Sequence, residues 1–479
     1  MIAKKLAGLE PAEVLAPFEA IASVPHGSWN TGKLADFLVS FAEERKLRCI
    51  RDAWGNVVIF KNGSEGYEDH TPVILQSHLD MVCEKDPDCP IDMAKEGLDL
   101  TWEGDRIRAK GTSLGADDGL GMAYILAVLN DPELPHPPIE ALFTNEEEVG
   151  MGGALNLDTS VLHGRRLINM DTFSEGVFVV GCAGGAKVDI TLPAELRPCE
   201  GLRLKLEARN FCGGHSGGKI HLNLANCIKV MAELLSRIGK RTALRISDLH
   251  GGAKPNSIPR ECIAEIVVPE GEETAVRRLC EELQAEIRAT YEEPAAEIFA
   301  ERMDGTAEAL SAADTARMIE LLCEVPNGLQ KWSEHLEGVV QTSLNVGCIR
   351  LSGGFCAEFQ LRSSVLAEKE DMKTALAAIA EKFGFGIRCY GENPAWPYRP
   401  ESELRRAMEE LWFERFGTHP KIKVIHAGLE CGILSEKIPG LECVSTCSNA
   451  YDVHSNRESL SISSAQRFWP YLKELLSKL

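Results

Sequence analysis

The sequence predicts an α/β protein, with a mostly parallel-sheet catalytic domain carrying an inserted α+β lid domain. Three observations predict it. Helical and strand-like patterns alternate from residue 11 to about 185. Near residue 186 the pattern changes to paired strands followed by helices. After PAWPYRP (394–400), a linker rich in proline and aromatics, the alternation resumes. Strands separated by helices build parallel sheets covered on both faces.

The first segment opens with a helix over 12–22 and a second over TGKLADFLVSFAEERK. Strands follow at NVVIF, TPVILQS, IEALFT, RLINMD and GVFVVGC, short runs rich in β-branched and aromatic residues. The long apolar helix LGMAYILAVLN lies between the second and third of these. The inserted segment begins with LRLKLEARNF, a helix from about 217 to 238, TALRISDLH, and ECIAEIVVP followed by the helix ETAVRRLCEELQAEI. A weaker echo follows, in which TSLNVGCIRLSGGFCAEFQLRSSV reads as two strands and KEDMKTALAAIAEKFG as a helix. A strand pair and helix met twice predicts an internally duplicated lid. A helix from 401 and the strands KIKVIHA and LECVST complete the chain. This last part is too short for an ordinary domain, so it is expected to complete the first sheet. The expected boundaries are therefore 1–186, 187–393 and 394–479.

A chain of 479 residues is too long for one ordinary core. Its 44% hydrophobic and 26% charged residues are those of a soluble globular protein. A net charge of −21, from 51 basic and 72 acidic residues, argues against nucleic acid and anionic membrane as partners. No stretch approaches the roughly 18 uncharged apolar residues of a membrane span. The opening MIAKKLAGLEPAEVLAPFEAIASV is charged and broken by proline, unlike a signal peptide. The sixteen cysteines show no CxxC spacing, and Cys182, Cys262 and Cys348 lie in apolar runs. A reduced, cytoplasmic protein is expected.

Five sites bearing carboxylates or imidazoles follow apolar strands or open helices, where α/β proteins place ligands. His78 ends VILQSH, and Asp117 lies in LGADDGLGMA. Glu147 and Glu148 follow IEALFTNE, Asp171 ends RLINMD, and His454 lies in AYDVHSNRES. Each has an ordinary reading alone: a satisfied strand-end histidine, a helix N-cap, a solvated acidic helix start. Those readings do not explain why all five lie at equivalent ends of elements in one sheet. Two histidines with carboxylates match the ligands zinc accepts, and a bridging carboxylate would permit two metals about 3.5–4 Å apart. Asp80, two residues beyond His78, is expected on the same face and could orient the histidine.

HLDMV, GADDGLGMA, TNEEEVGMGGA, INMD, GGHSGG and HAGLECG, in this order, closely resemble the di-zinc aminoacylase/carboxypeptidase family, in its aminoacyl-histidine dipeptidase (Xaa-His dipeptidase) branch. The resemblance spans essentially the whole chain. It implies that His78 and Asp171 hold one zinc, that Glu148 and His454 hold the other, and that Asp117 bridges them. Manganese or cobalt would be substitutes. It further implies Asp80 as the carboxylate behind His78, Glu147 as general base, and a cis peptide after Asp117. In the lid it implies that His215 stabilises the oxyanion and that Asn256 and Arg362 bind substrate backbone and terminal carboxylate. Gly428 and Glu430 would lie in a loop beside the substrate. A departure from the branch is STCSNAYDVHS, which lacks the glycine and proline that commonly precede the last histidine. The implied activity is hydrolysis of unblocked dipeptides, including Xaa-His and β-Ala-His, by a chain that can form a homodimer. An aminoacylase on the same scaffold and a catalytically dead metal-binding protein are the alternatives.

Overall fold

The computed structural model describes residues 5–291 and 293–479, which form two compact units. The first runs through Gly181 and resumes over Tyr398–Val424 and Leu429–Leu479. The second comprises Cys182–Pro397 with Ile425–Gly428. No helix among the described residues is long and apolar enough to cross a membrane.

The first unit is built on an eight-stranded sheet. Its centre is Ile139–Thr144, Val73–His78, Arg166–Asn169 and Glu442–Ser445, adjacent in that order and mutually parallel. Every residue of Val73–His78 and Ile139–Thr144 is buried, which is why apolar residues dominate both, with Gln76 and Glu140 as buried exceptions. The parallel arrangement expected from the sequence holds for these central strands. At one flank, Arg48–Arg51 pairs antiparallel with Val57–Lys61, and Val57–Lys61 antiparallel with Ile139–Thr144. A short connection through Gly55, at φ +85°, makes Arg48–Arg51 and Val57–Lys61 a hairpin, which only an antiparallel pair permits. The helix Ala116–Asn130 is buried from Ala116 to Leu129, and Phe18, Tyr124, Phe143 and Phe468 join the surrounding core.

Register positions the site. His78 lies level with Thr144, and Gln76 with Asn169. Asp171, two residues beyond Asn169, therefore falls level with His78 at the carboxyl edge of the sheet. This is where open α/β sheets bind ligands.

The second unit is a nine-stranded antiparallel sheet covered by four long helices. The duplication is complete. One half runs Leu202–Arg209, helix Cys227–Arg241, Arg245–Gly251, Cys262–Val268, helix Glu273–Thr290, Glu297–Met303. The other takes Gly184–Leu192 as its first strand, then helix Ala312–Glu324, Val340–Arg350, Phe355–Ser363, helix Leu366–Phe383, Gly386–Asn393. Within each half the strands stand in the spatial order fourth, first, third, second. The halves meet through their second strands, where His250 pairs with Arg350 and Gly251 with Ile349. The helix expected from about 217 begins at Cys227. Asn226 caps it by accepting from the Ile228 and Lys229 amides, while Asn223 in the left-handed region ends the short turn before it.

Candidate active site

In the first unit, strand and loop ends bring the expected side chains together. His78 Nε2 lies 2.9 Å from Asp117 Oδ1 and 3.9 Å from Asp171 Oδ1. The other Asp117 oxygen, Oδ2, lies 3.0 Å from His454 Nε2, and that nitrogen is 2.9 Å from Glu148 Oε1. One buried carboxylate thus faces the Nε2 atoms of two histidines, one through each oxygen. His78, Asp117 and Glu148 present donor atoms within 4.8 Å of one another. His454 is held at φ +60°, a left-handed conformation that a non-glycine residue adopts only when its surroundings impose it. The Asp117–Asp118 peptide is cis.

Asp80 sits behind this cluster, but its carboxylate does not take the role the strand period suggests. His78 Nδ1 is 2.9 Å from the Asp80 main-chain carbonyl and 3.8 Å from its carboxylate. The carbonyl therefore fixes the ring, leaving Nε2 to face Asp117. The Asp80 carboxylate accepts the Glu147 and Glu148 amides at 2.9 and 3.3 Å and the Ser28 hydroxyl at 2.8 Å. It fixes the loop that carries both glutamates.

The charges do not balance within the protein. Burial works against the Asp117 carboxylate, but hydrogen bonds from His454 and His78 outweigh it and hold it well below the usual carboxylate range. Hydrogen bonds to Asp117 and Glu148 raise His454 to about 10. Burial, with Asp117 alongside, pushes Asp171 well up. Burial, with Glu148 and Asp117 beside it, raises Glu147 to about 7 against the pull of His78. With all four carboxylates ionised beside two neutral imidazoles the cluster would carry an excess of negative charge; protons on Asp171 and His454 offset it in the protein alone, and a divalent cation would take their place. The donor set of imidazole nitrogens and carboxylate oxygens is one zinc accepts.

Two buried acids support the cluster. Glu458 went unrecognised in the sequence: its oxygens accept four consecutive amides, Leu114 to Asp117, at 2.8 to 3.2 Å. It holds the turn that presents Asp117. Glu430, expected beside the substrate, is fully buried instead. Its Oε2 accepts from Gln76 and Thr144, both at 2.6 Å. Burial and the Glu147 charge raise its carboxyl to about 8. It underlies the strand ends.

The second unit holds the remaining expected residues. His215 is exposed, and its Nδ1 accepts from the Gly217 amide at 3.2 Å. Its strand pairs with Ser257–Ile258, and the Asn256 carbonyl accepts from Ser216 at 2.9 Å. Arg362 is partly buried, and among the described residues nothing hydrogen-bonds its buried Nε. Burial alone lowers its pKa, with no acid beside it to oppose the effect. Gly428 ends the short segment Ile425–Gly428 that belongs to this unit.

An α/β sheet gathering carboxylates and imidazoles at its carboxyl edge, with a duplicated antiparallel unit inserted in the chain, defines the class of metal-dependent hydrolases to which the comparisons point. A family model described as a peptidase dimerisation domain matches residues 206–294. The chain is 35% identical over 483 aligned residues to the cytosol non-specific dipeptidase of Escherichia coli (strain K12), with 99% of each covered. The crystal structure of aminoacylhistidine dipeptidase from Vibrio alginolyticus superposes with a TM-score of 0.93 at 34% identity, covering 99% of this chain and 98% of that one. Aminopeptidase PepT from Bacillus cereus, 14% identical with 98% and 99% of the chains covered, shares the fold at a TM-score of 0.56. This chain belongs to the M20 family of metallopeptidases.

Proposed function

We propose that this protein is a cytoplasmic, two-zinc dipeptidase that hydrolyses unblocked dipeptides, Xaa-His and β-Ala-His among them. The observation that carries the reading is the Asp117 carboxylate, with one oxygen toward His78 Nε2 and the other toward His454 Nε2. The names of the E. coli and V. alginolyticus relatives support the substrate class, and the word cytosol in the first supports the location. The dimerisation-domain match supports a homodimer.

His78 and Asp171 would hold one zinc, Glu148 and His454 the other, and Asp117 both. The bound ions would supply Lewis acidity, lowering the pKa of water and polarising the scissile carbonyl. Glu147 carries the proton: it takes one from the attacking water and returns it to the leaving amine. The bond from its amide to Asp80 fixes where it stands. His215 would donate to the developing oxyanion. Asn256 would meet the substrate backbone, and Arg362, which pairs with no carboxylate among the described residues, would take the terminal carboxylate.

Glu458 provides a test of the Asp117 turn. A glutamine there replaces one acceptor oxygen by a donor and sets N–H against N–H. We expect Glu458→Gln to weaken zinc binding about 10- to 100-fold, the usual cost of losing a residue that orients a ligand. Competitive zinc titration measures this, and wild-type affinity would refute the role.

The substrate reading is tested by blocking one end. Zinc and a base would hydrolyse many amides, so selectivity must come from what grips the termini. Amidation removes the charge that Arg362 would pair with and leaves a partly buried guanidinium unmatched, a loss of ~2–5 kcal/mol. Ala-His should therefore be cleaved at least about 30-fold more efficiently than its C-terminal amide, the lower end of that range. Equal kcat/KM values would remove the carboxylate clamp. A strong preference for N-acetyl amino acids would replace dipeptidase by aminoacylase.

A further inference from the structure

The motif QTSLNVG, in the strand Val340–Arg350, assembles the lid's polar residues. Ser343 stands directly opposite Arg362 on the neighbouring strand, so both side chains share one face. Two residues on, on that same face, Asn345 donates from Nδ2 to the carbonyls of Pro255 and Ser257, both at 2.8 Å. Those bonds pin the loop on either side of Asn256, and Ser257 in turn pairs with His215. One strand therefore sets His215, Asn256 and Arg362 in a common frame.

Ser343 also reaches a residue to which no role has been given. Its Oγ lies 2.7 Å from His426 Nε2. The segment carrying His426 is fixed by Ile425, whose carbonyl accepts from Ala183 at 3.0 Å, and by close packing at Gly217. A Cβ at Gly217 would come 2.6 Å from the His426 carbonyl and 2.9 Å from the His215 ring, so that contact tolerates no side chain. Burial, together with the Arg362 charge, drives the His426 ring down to about 3. His215 feels the same guanidinium. Among the described residues no carboxylate pairs with Arg362.

A partly buried cation with no counter-ion is unfavourable unless a ligand completes it. The fold could have neutralised Arg362 with an acid, and instead seats an imidazole bound to a serine within reach of its charge. We propose that the Ser343–His426 pair is the positioning element of the lid's anion site, walling Arg362 with a side chain that carries no negative charge so that the guanidinium stays available to the substrate's terminal carboxylate. The inference rests on the dipeptidase reading for the identity of the anion. The placement of His426 beside Arg362 runs through Ser343, which bonds the imidazole and stands opposite the arginine on the next strand.

Three variants test it: His426→Glu, His426→Gln and Ser343→Ala. Each is assayed for kcat and KM on Ala-His and its C-terminal amide, and for thermal unfolding without substrate. A glutamate at 426 supplies Arg362 with an internal partner. His426→Glu should raise KM for the free acid by at least about 30-fold, the scale on which a charged partner is lost, and leave the amide's KM unchanged. Its Tm should equal or exceed that of the wild type, because an unpaired cation has been paired. Glutamine keeps the site uncharged and able to bond Ser343, so His426→Gln should retain most of the preference for the acid. Ser343→Ala should lower that preference by a smaller factor without changing kcat. A His426→Glu protein that keeps the wild-type preference for the acid overturns the proposal, as does a His426→Gln protein impaired to the same degree as His426→Glu. Should the wild type fail to cleave dipeptides, the functional reading fails. The Tm comparison then still decides the inference, and a His426→Glu protein less stable than His426→Gln would reject it.

Discussion

Glu147→Gln should lower kcat by at least about 100-fold on any cleaved dipeptide, with the metal content of the purified protein unchanged. Glutamine preserves the shape of glutamate but cannot accept a proton. Glu147 is suited to proton transfer because its main chain and side chain are held by different things. Its amide donates to the buried Asp80 carboxylate at 2.9 Å, which sets the loop. Its own carboxyl accepts none of the hydrogen bonds that hold the loop, which Asp80 takes instead. The adjacent glutamate makes the contrast. Glu148 Oε1 lies 2.9 Å from His454 Nε2, within the donor cluster, so Glu148→Gln should reduce the metal content itself. Kinetics alone would not separate the two variants, whereas metal analysis beside kinetics does. Near-normal turnover in Glu147→Gln would remove it as the base.

The central sheet was legible because buried parallel strands are uniformly apolar and their ends are abruptly polar. VILQSH and RLINMD each show that break, and the structure sets His78 and Asp171 level at the same edge. Asp80 shows where periodicity stops being a guide. The strand ends at His78, so the alternation that would put the Asp80 carboxylate behind the ring no longer governs it, and the carboxylate turns to the amides of Glu147 and Glu148. Glu458 could not be found by pattern, because an anion cradled by successive amides needs no partner side chain at a fixed spacing. Glu430 had a signal that went unused. Gln76 lies in an otherwise apolar buried strand, and a buried amide must find an acceptor; Glu430 is that acceptor. In the lid, the duplication was visible as repeated strand pairs with helices. What hid its extent was the second half's first strand, Gly184–Leu192, which precedes the whole first half in the chain.

His215→Ala should lower kcat by about 100- to 1,000-fold, the scale of losing one oxyanion donor, while zinc content and circular dichroism stay as in the wild type. The ring is prepared for that role in the lid itself. Nδ1 accepts from the Gly217 amide, so in the neutral ring the proton sits on Nε2. Partial burial of the ring and the Arg362 charge lower its pKa. The duplicated lid bears on which chain this histidine serves. The matched dimerisation domain, 206–294, covers only the first half of the lid, and its strand Arg245–Gly251 is already paired with Val340–Arg350 of the second half. The second half thus occupies, within one chain, an edge at which a separate copy could otherwise pair. Mixing His215→Ala with Glu147→Gln protein, with heterodimers confirmed by differential tagging, should give no more activity than the two variants measured apart. Recovered turnover in the mixture would mean that the histidine crosses to the partner subunit and that the duplication does not replace the dimer contact.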